Sequence, residues 1–366
     1  MTTIASEGCM KIQQVILHRV RIPLTVPYNV SYFSFDYFEP ILVEIIGDDG
    51  TLAWGEGHVQ PGSTSETRDG GWDFCKAFAD KILRLDTVEA KTVIEASRLN
   101  SKVAATGMLT AIEMLERHPL LDIAEDARVQ ILSGFNSLDH AEVPDEVEER
   151  LALGFKTFKI KVGKDVDEDL ARVRVIQKAI DGRALMRLDA NRGFNEEDGC
   201  RFASSLDPEG IMLFEQPCER EEWDANAAVA EASTVPIMLD EPITTEEDVE
   251  RAETIDNVGF CKIKLKRAGT IRSLEAVLRR IHECGMEAVL GDGTSCEVQC
   301  WMEAAVARTT IRNAGEFNGF LRPSVRLFAN PLDFVDGEIL LKAGYWPEMD
   351  RDKLSAYSVD SARFEA

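Results

Sequence analysis

The sequence predicts an α/β fold, a parallel (β/α)8 barrel behind an N-terminal α+β unit. Three observations carry that reading. The chain has 366 residues, more than the roughly 200–250 that one such barrel needs, which leaves room for a second unit. Five short apolar runs then end in charged residues: FKIKVG in Lys159 and Lys161, LMRLDAN in Asp189 with the polar Asn191 after it, GIMLFEQP in Glu215, VPIMLDEP in Asp240 and Glu241, and FCKIKLK in Lys262, Lys264 and Lys266. The steps from Lys161 to Asp189, Glu215, Asp240 and Lys264 are 28, 26, 25 and 24 residues. A strand, a helix and two loops take about that many, since a βαβ crossover needs roughly 30. Each charge therefore falls at the C-terminal end of a successive parallel strand, where such barrels keep their active sites. The third observation is that the first 120 residues read as strands followed by helices, which marks an α+β unit with its own core.

In order, IQQVILHRVRIPL alternates apolar and polar residues with period two, as a half-buried strand does. VPYNVSYFSFDYF is aromatic-rich, and ILVEIIGDDGTLAWGEG reads as a hairpin around Asp48-Asp49-Gly50. His58–Trp72 has no periodicity and reads as a loop. Residues 73–118 turn helical, with apolar positions three and four apart. The barrel would open at ARVQILSG (127–134), continue at FKTFKIKVG (155–163), and then alternate helices and strands. MEAVLGDG (286–293) is the expected seventh strand and AGEFNGFL (314–321) the eighth. NPLDFVDGEILL (330–341) is strand-like, lies past the count of eight, and is expected to return to the N-terminal unit. The divisions expected are 1–125, 126–322 and 323–366, with residues 1–9 a disordered extension or a misassigned start.

The formal charge is −24, which argues against nucleic acid or an anionic membrane as partner, because both need a basic footprint. The eight cysteines are scattered and suggest no disulfide framework. Cys296 and Cys300 lie one helical turn apart but read as buried small hydrophobes. The sequence shows neither a signal-peptide pattern nor an 18-residue apolar run, so a cytoplasmic protein is expected.

Asp189, Glu215 and Asp240 come from three adjacent strand ends. Three converging acids repel one another. A hard divalent cation resolves this, and oxygen ligands with open positions suit Mg2+; the alternative is salt bridges to neighbouring lysines. Lys159 and Lys161, two apart on a strand, point the same way. Two ammonium groups so close disfavour each other's charge, which makes Lys161 a usable base near neutral pH. Lys264 would face it across the mouth. Two bases on opposite faces of one carbon can remove a proton from one side and return it to the other. The set suggests abstraction of a proton α to a carboxylate through an enediolate.

KIKVG, RLDAN, FEQP, LDEP and CKIKLKRAGTI together resemble the enolase superfamily and, within it, the muconate lactonizing enzyme-like subgroup. The resemblance implies a modified TIM barrel, (β/α)7β, under an N-terminal α+β capping domain. It also implies an isomerase, most plainly a racemase, epimerase or cycloisomerase of a small carboxylate such as an amino acid derivative. A syn-dehydratase of the o-succinylbenzoate synthase type is the nearest alternative. Residue by residue, Asp189, Glu215 and Asp240 match the metal ligands. Lys161 and Lys264 match the opposed bases, and Lys159 the residue that tunes Lys161. Asn191 and Glu241 would orient ligands and lysines. Relatives often assemble as homo-oligomers.

Some residues depart from the pattern. No histidine stands where a mandelate-racemase-type base would; His282, His18, His58, His118 and His140 read as surface or packing residues. Lys262 reads as an inward core charge paired to an acid, or as a substrate contact. Asp292 reads equally as a contact for a cationic substrate group or as a cap for the following helix. No Asp-x-Asp motif of the kind that anchors a dipeptide's ammonium is evident near the eighth strand. Two loops, Val26–Asp36 with Tyr28, Tyr32, Phe33 and Phe35, and His58–Trp72, are candidate lids, the alternative for the aromatics being the core of the capping sheet, and Phe317 in FNGFL is a candidate opposite wall. Readings from other classes are a Schiff-base aldolase-like barrel using Lys161 or Lys264, and a non-enzymatic binding protein.

Overall fold

In the computed structural model, which describes residues 10–30, 33–60 and 65–366, the first alternating stretch breaks at Arg21. It gives β1 (Ile12–Val20) and β2 (Ile22–Val30), which join different sheets. β2 forms a two-stranded sheet with β3 (Phe33–Phe38) and is bridged to the later chain at Leu24–Pro323. β4 (Ile41–Gly47) and β5 (Leu52–Gly57) form the expected hairpin. Its turn is held by Asp49, which accepts from the Thr51 amide at 2.8 Å, and by Gly50 at φ +83°, a conformation glycine enters without a Cβ penalty. Three helices follow: α1 (Arg68–Ile82), α2 (Thr87–Glu95) and α3 (Lys102–Leu115). α3 lies directly on β5. A Cβ on Gly55 would stand 1.8 Å from the Gly107 carbonyl oxygen, so only glycine allows this approach.

The second unit begins with β6 (Ala127–Gln130) and β7 (Ser133–Phe135). Then come α4 (Val143–Ala152), β8 (Thr157–Lys161), α5 (Val166–Ile180), β9 (Leu185–Asp189), α6 (Glu196–Ser204), β10 (Ile211–Glu215), α7 (Trp223–Ala232), β11 (Ile237–Leu239) and α8 (Glu246–Glu253). The run closes with β12 (Val258–Ile263), α9 (Leu265–Ala268), α10 (Ile271–Glu283), β13 (Glu287–Leu290) and α11 (Glu297–Thr310). Asp165, Asn195, Thr245 and Thr270 cap the helices that follow them by accepting a backbone N–H. β7 to β13 form one parallel seven-stranded sheet in sequence order. After it come β14 (Asp333–Val335), β15 (Glu338–Leu341), α12 (Arg351–Tyr357) and β16 (Ser358–Glu365). β16 pairs with β1, completing an antiparallel sheet of order β16-β1-β4-β5.

Four expectations change. The run 127–134 is two strands, and only the second enters the barrel. The eighth strand is absent as such: residues 314–316 close the barrel through single contacts, Gly315 bridging Ile131 and the Glu316 amide donating to the Leu290 carbonyl at 2.8 Å, before a 3-10 turn at Gly319–Leu321. The strand-like 330–341 stretch folds as the β14–β15 hairpin on β6, and it is β16 that rejoins the first sheet. The 58–72 stretch is helical from Arg68, and Trp72 is buried in α1. Alternation is local, and it does not say which sheet a strand will join.

The two units are fastened by carboxylates of the first docked on helix N-termini of the second, where unpaired N–H groups favour negative charge. Glu113 of α3 accepts from the Ile271 and Arg272 amides at 2.6 and 3.1 Å. Glu56 of β5 accepts from the Cys296 and Gln299 amides at the start of α11. Beside it, His58 Nδ1 donates to the Thr294 carbonyl at 2.6 Å. Burial pushes that histidine down to about 4, so it stays neutral as a packing residue.

Burial raises the Glu113 carboxyl from 4.5 to about 7. A folded-state value above the unfolded one means its stabilising share is complete below 4.5 and is lost as pH rises through about 7. Glu113→Gln, uncharged throughout, should therefore lose less melting temperature than the parent between those two pH values, as read by thermal denaturation.

The seven cysteines among the described residues are free, and Cys296 and Cys300 are buried. No helix among the described residues is long and apolar enough to cross a membrane.

Candidate active site

The parallel strands deliver their last residues to one mouth. Lys161 is paired with Asp189 in the β8–β9 register, and Asp189 with Glu215 in the β9–β10 register. Asp240 is the residue after β11, and Lys264 the residue after β12, where it is the N-cap of α9. Lys264 thus stands at the C-terminal end of its strand, and the chain turns helical directly after it. A cavity of about 260 Å3 opens here, lined among others by Tyr28, Lys161, Asn191, Asp240, Glu241 and Lys264.

The floor of the cavity is a lattice of opposite charges. Lys159 Nζ lies 2.9 Å from Asp189, 2.9 Å from Glu215 and 2.8 Å from Glu316. Lys262 Nζ lies 3.1 Å from Glu215, 3.9 Å from Asp240 and against Glu316. Burial works against the charge on Lys159, yet these acids hold it protonated, well above lysine's ordinary value. Lys262 is raised in the same way. It is thus an inward core charge paired to acids, the first of the two readings offered by the sequence. Above the floor, Lys161 Nζ bonds Asp189 Oδ2 at 2.6 Å and also reaches Asn191 Oδ1. Lys264 Nζ bonds Asp240 Oδ2 at 2.8 Å. Burial pushes Lys264 below its ordinary value, the direction a base requires.

Several groups hold the acids in place. Arg267 donates to Asp240 Oδ1 at 2.9 Å and to the Ile243 carbonyl at 2.8 Å. Gln216 Oε1 accepts from the Asp240 amide at 2.9 Å, and the Asn191 amide donates to Asp189 Oδ1 at 2.8 Å. Asn191, Arg192 and Gln216 adopt φ of 43°, 68° and 41°, so two strand ends carry left-handed turns on non-glycine residues. Such strain collects where surrounding structure fixes a site. Glu241 is pushed up to about 7 by burial and by Asp240, and Arg192 lies 3.4 Å from it.

Among the described residues, no three His, Cys, Asp or Glu side chains stand together as a ready metal cluster; the acids are ion-paired to lysines instead. The donor set nevertheless fits a hard divalent cation. It is all carboxylate oxygen, delivered from three neighbouring strand ends. Glu215 Oε2 and Glu241 Oε2 are buried without a hydrogen-bond partner, although Lys159 Nζ is 2.9 Å from the former. Of these two, Glu241 Oε2 is the one left unpaired; such an oxygen is costly when buried, and an oxygen-seeking cation such as the expected Mg2+ would offset that cost.

Of the expected substrate contacts, Tyr28 lines the cavity with its ring beneath Arg322, 3.8 Å from the guanidinium. Tyr32 lies outside the described residues. Phe317 is fully buried in the hydrophobic core and is not a wall of the site. Asp292 lines the cavity, and the N-cap of α11 is Cys296, so Asp292 is not the cap of that helix. Its Oδ1 accepts from the Thr294 and Ser295 amides ahead of α11, and its Oδ2 binds Lys266 at 2.7 Å. His282 donates to the Thr310 carbonyl, as a packing residue does. The sequence reading missed Glu316, Gln216, Arg267 and the pairing of Lys266. For Glu316 a signal existed: four inward lysines at strand ends outnumber three acids, so a fourth acid was needed.

Residues 142–350 match the family described as enolase C-terminal domain-like. The chain is similar to L-Ala-D/L-Glu epimerase of Bacillus subtilis, 27% identical over 299 residues that cover 77% of this chain and 81% of that protein. It is similar to hydrophobic dipeptide epimerase of Enterococcus faecalis, 26% identical over 318 residues, 83% and 90% of the two chains. In structure it resembles a dipeptide epimerase from Cytophaga hutchinsonii solved with Mg and the dipeptide D-Ala-L-Val, with TM-score 0.87 at 21% identity, covering 97% of this chain and 100% of that one.

Proposed function

Because the chain belongs to the enolase superfamily, in its mandelate racemase/muconate lactonizing enzyme-like subgroup, we propose that it is a racemase or epimerase of a small carboxylate, with a dipeptide or N-acylated amino acid as substrate. The observation that supports this most is that Lys161 and Lys264 line one cavity, each bonded to a different acid of the trio, Asp189 and Asp240. In the proposed cycle one lysine, as the neutral amine, takes the proton from the α-carbon, and the electron pair left behind spreads into the substrate carboxylate. The other lysine, as ammonium, delivers a proton to the opposite face, so the product has inverted configuration and the two lysines have exchanged protonation states. Lys159 holds Asp189 and Glu215 apart as a fixed counter-charge, while Asn191 and Arg267 fix Lys161 and Asp240 in place. Asp189, Glu215 and Asp240 would hold a Mg2+ ion, which supplies positive charge where the carboxylate becomes more negative.

The proposal is tested by incubation in D2O with Mg2+ and a panel of dipeptides and N-acyl amino acids, followed by proton NMR. Loss of the α-hydrogen signal with appearance of the opposite stereoisomer is the expected result, abolished by EDTA and restored by Mg2+. EDTA-insensitive turnover together with a lysine trapped by borohydride would instead support the Schiff-base reading.

A further inference from the structure

The chain is strongly acidic overall, yet its cavity is not. Nine lysines and arginines line it, against four aspartates and glutamates. Most of those cations are already engaged: Lys159 and Lys262 in the floor, Lys266 on Asp292, Arg267 on Asp240, and Arg192 3.4 Å from both Glu219 and Glu241.

The wall contributed by the first unit is different. Tyr28, Gln60, Lys102 and Val103 form it. Lys102 opens α3 and is exposed, and its ammonium makes no ion pair among the described residues. Two neighbouring groups of that helix start, the Ser101 hydroxyl and the Val103 amide, are already taken by Glu66 at 2.7 and 3.1 Å. Gln60 is 3% exposed, and its Nε2 has no hydrogen-bond partner. A buried donor left unpaired is costly and invites an acceptor. The ammonium can only donate, so Lys102 and the Gln60 amide nitrogen offer donors to whatever reaches them, beside the Glu66 carboxylate already held at the helix start. The acids and catalytic lysines lie on the barrel side, which leaves this wall for the substrate's far end.

We infer that Gln60 and Lys102 form a second anion-recognising subsite, and that the substrate is a dicarboxylate whose second carboxylate reaches it. The inference rests on the racemase or epimerase reading and narrows its substrate class. The second carboxylate belongs either to an acidic side chain of a dipeptide or to a dicarboxylic acyl group. Either source presents the same chemistry to the subsite, an acceptor-only group of charge −1.

Matched acid and amide pairs test this. The Mg2+-loaded protein is titrated calorimetrically with L-Ala-L-Glu against L-Ala-L-Gln, and with N-succinyl-L-alanine against N-succinamoyl-L-alanine. In at least one pair the acid should bind about tenfold more tightly, the scale of one charge-assisted hydrogen bond. Lys102→Gln and Gln60→Leu should each weaken the acid more than the amide and so shrink that ratio, and Lys102→Arg should keep it. Which pair responds tells the side-chain carboxylate from the acyl one. Equal affinities, binding of neither partner, or variants that leave the ratio intact overturn the inference. Deuterium exchange on the same ligands separates the two readings. Selective binding without exchange costs the racemase reading alone; equal exchange on acid and amide, with equal affinities, costs the subsite alone.

Discussion

Lys264→Ala is expected to lose racemisation by about 10²–10⁴-fold, the usual weight of a positioned acid or base, while retaining α-proton exchange from one stereoisomer. Lys161→Ala should lose a similar amount and retain exchange from the other. The asymmetry follows from geometry. Lys161 hangs from the end of β8 on Asp189 and Asn191, with about half its side chain in solvent. Lys264 stands at the start of α9 on Asp240 and is mostly buried. On the proposed reading each lysine serves one face of the α-carbon, so removing one leaves the other able to take its proton and return deuterium to the same face. Chiral substrates in D2O followed by NMR read both numbers. Exchange from both stereoisomers surviving in both variants would remove the two-base mechanism.

The second large effect is on folding. Glu316→Ala should cost about 3–5 kcal/mol, because breaking a buried ion pair by removing one partner leaves an uncompensated buried charge. Glu316 is 8% exposed and sits against both Lys159 and Lys262. Without it, the two buried ammonium groups share only Asp189, Glu215 and the more distant Asp240. Its own position depends on Gly291 at φ +113°, where a Cβ would stand 2.6 Å from the Glu316 backbone. Chemical denaturation measures the loss. Lys262→Met introduced together with Glu316→Gln should recover part of it, since replacing a whole buried pair is often neutral. A Glu316→Ala protein as stable as its parent would show that the lattice does not need this acid.

The catalytic half of this architecture was legible because it depends on local signals. A parallel strand buried on both faces reads as an apolar run, and the spacing of Lys161, Asp189, Glu215, Asp240 and Lys264 reports crossovers of nearly constant length. The closing segment was not legible. Residues 314–316 join the barrel through single bridges and one glycine approach, and nothing in the alternation of AGEFNGFL distinguishes that from a strand. Reading its aromatics as a pocket wall drew attention to Phe317, which faces the core, and away from Glu316, which faces the lysines. The destination of 330–341 was misread for a related reason: its edge hydrogen bonds could be met by β6 as well as by the first sheet, and tertiary packing decided between them. Lys102 and Gln60 carry no motif. Their interest comes only from which wall they face and from what does not pair with them.

The register of β1 with β16 also has a consequence for how the protein is made. Gln14 lies opposite Glu365, 351 positions later in the chain. At the usual pace of about 5–20 residues per second, the ribosome needs roughly 20–70 s to deliver β16 after β1 has emerged. Through that interval β1 can pair with β4 but keeps its other edge open, and an open edge is a template for a neighbouring nascent chain. Crowded polysomes are therefore the setting in which this sequence is most exposed to aggregation, and a chaperone that shields the edge of β1 would act before the barrel is finished.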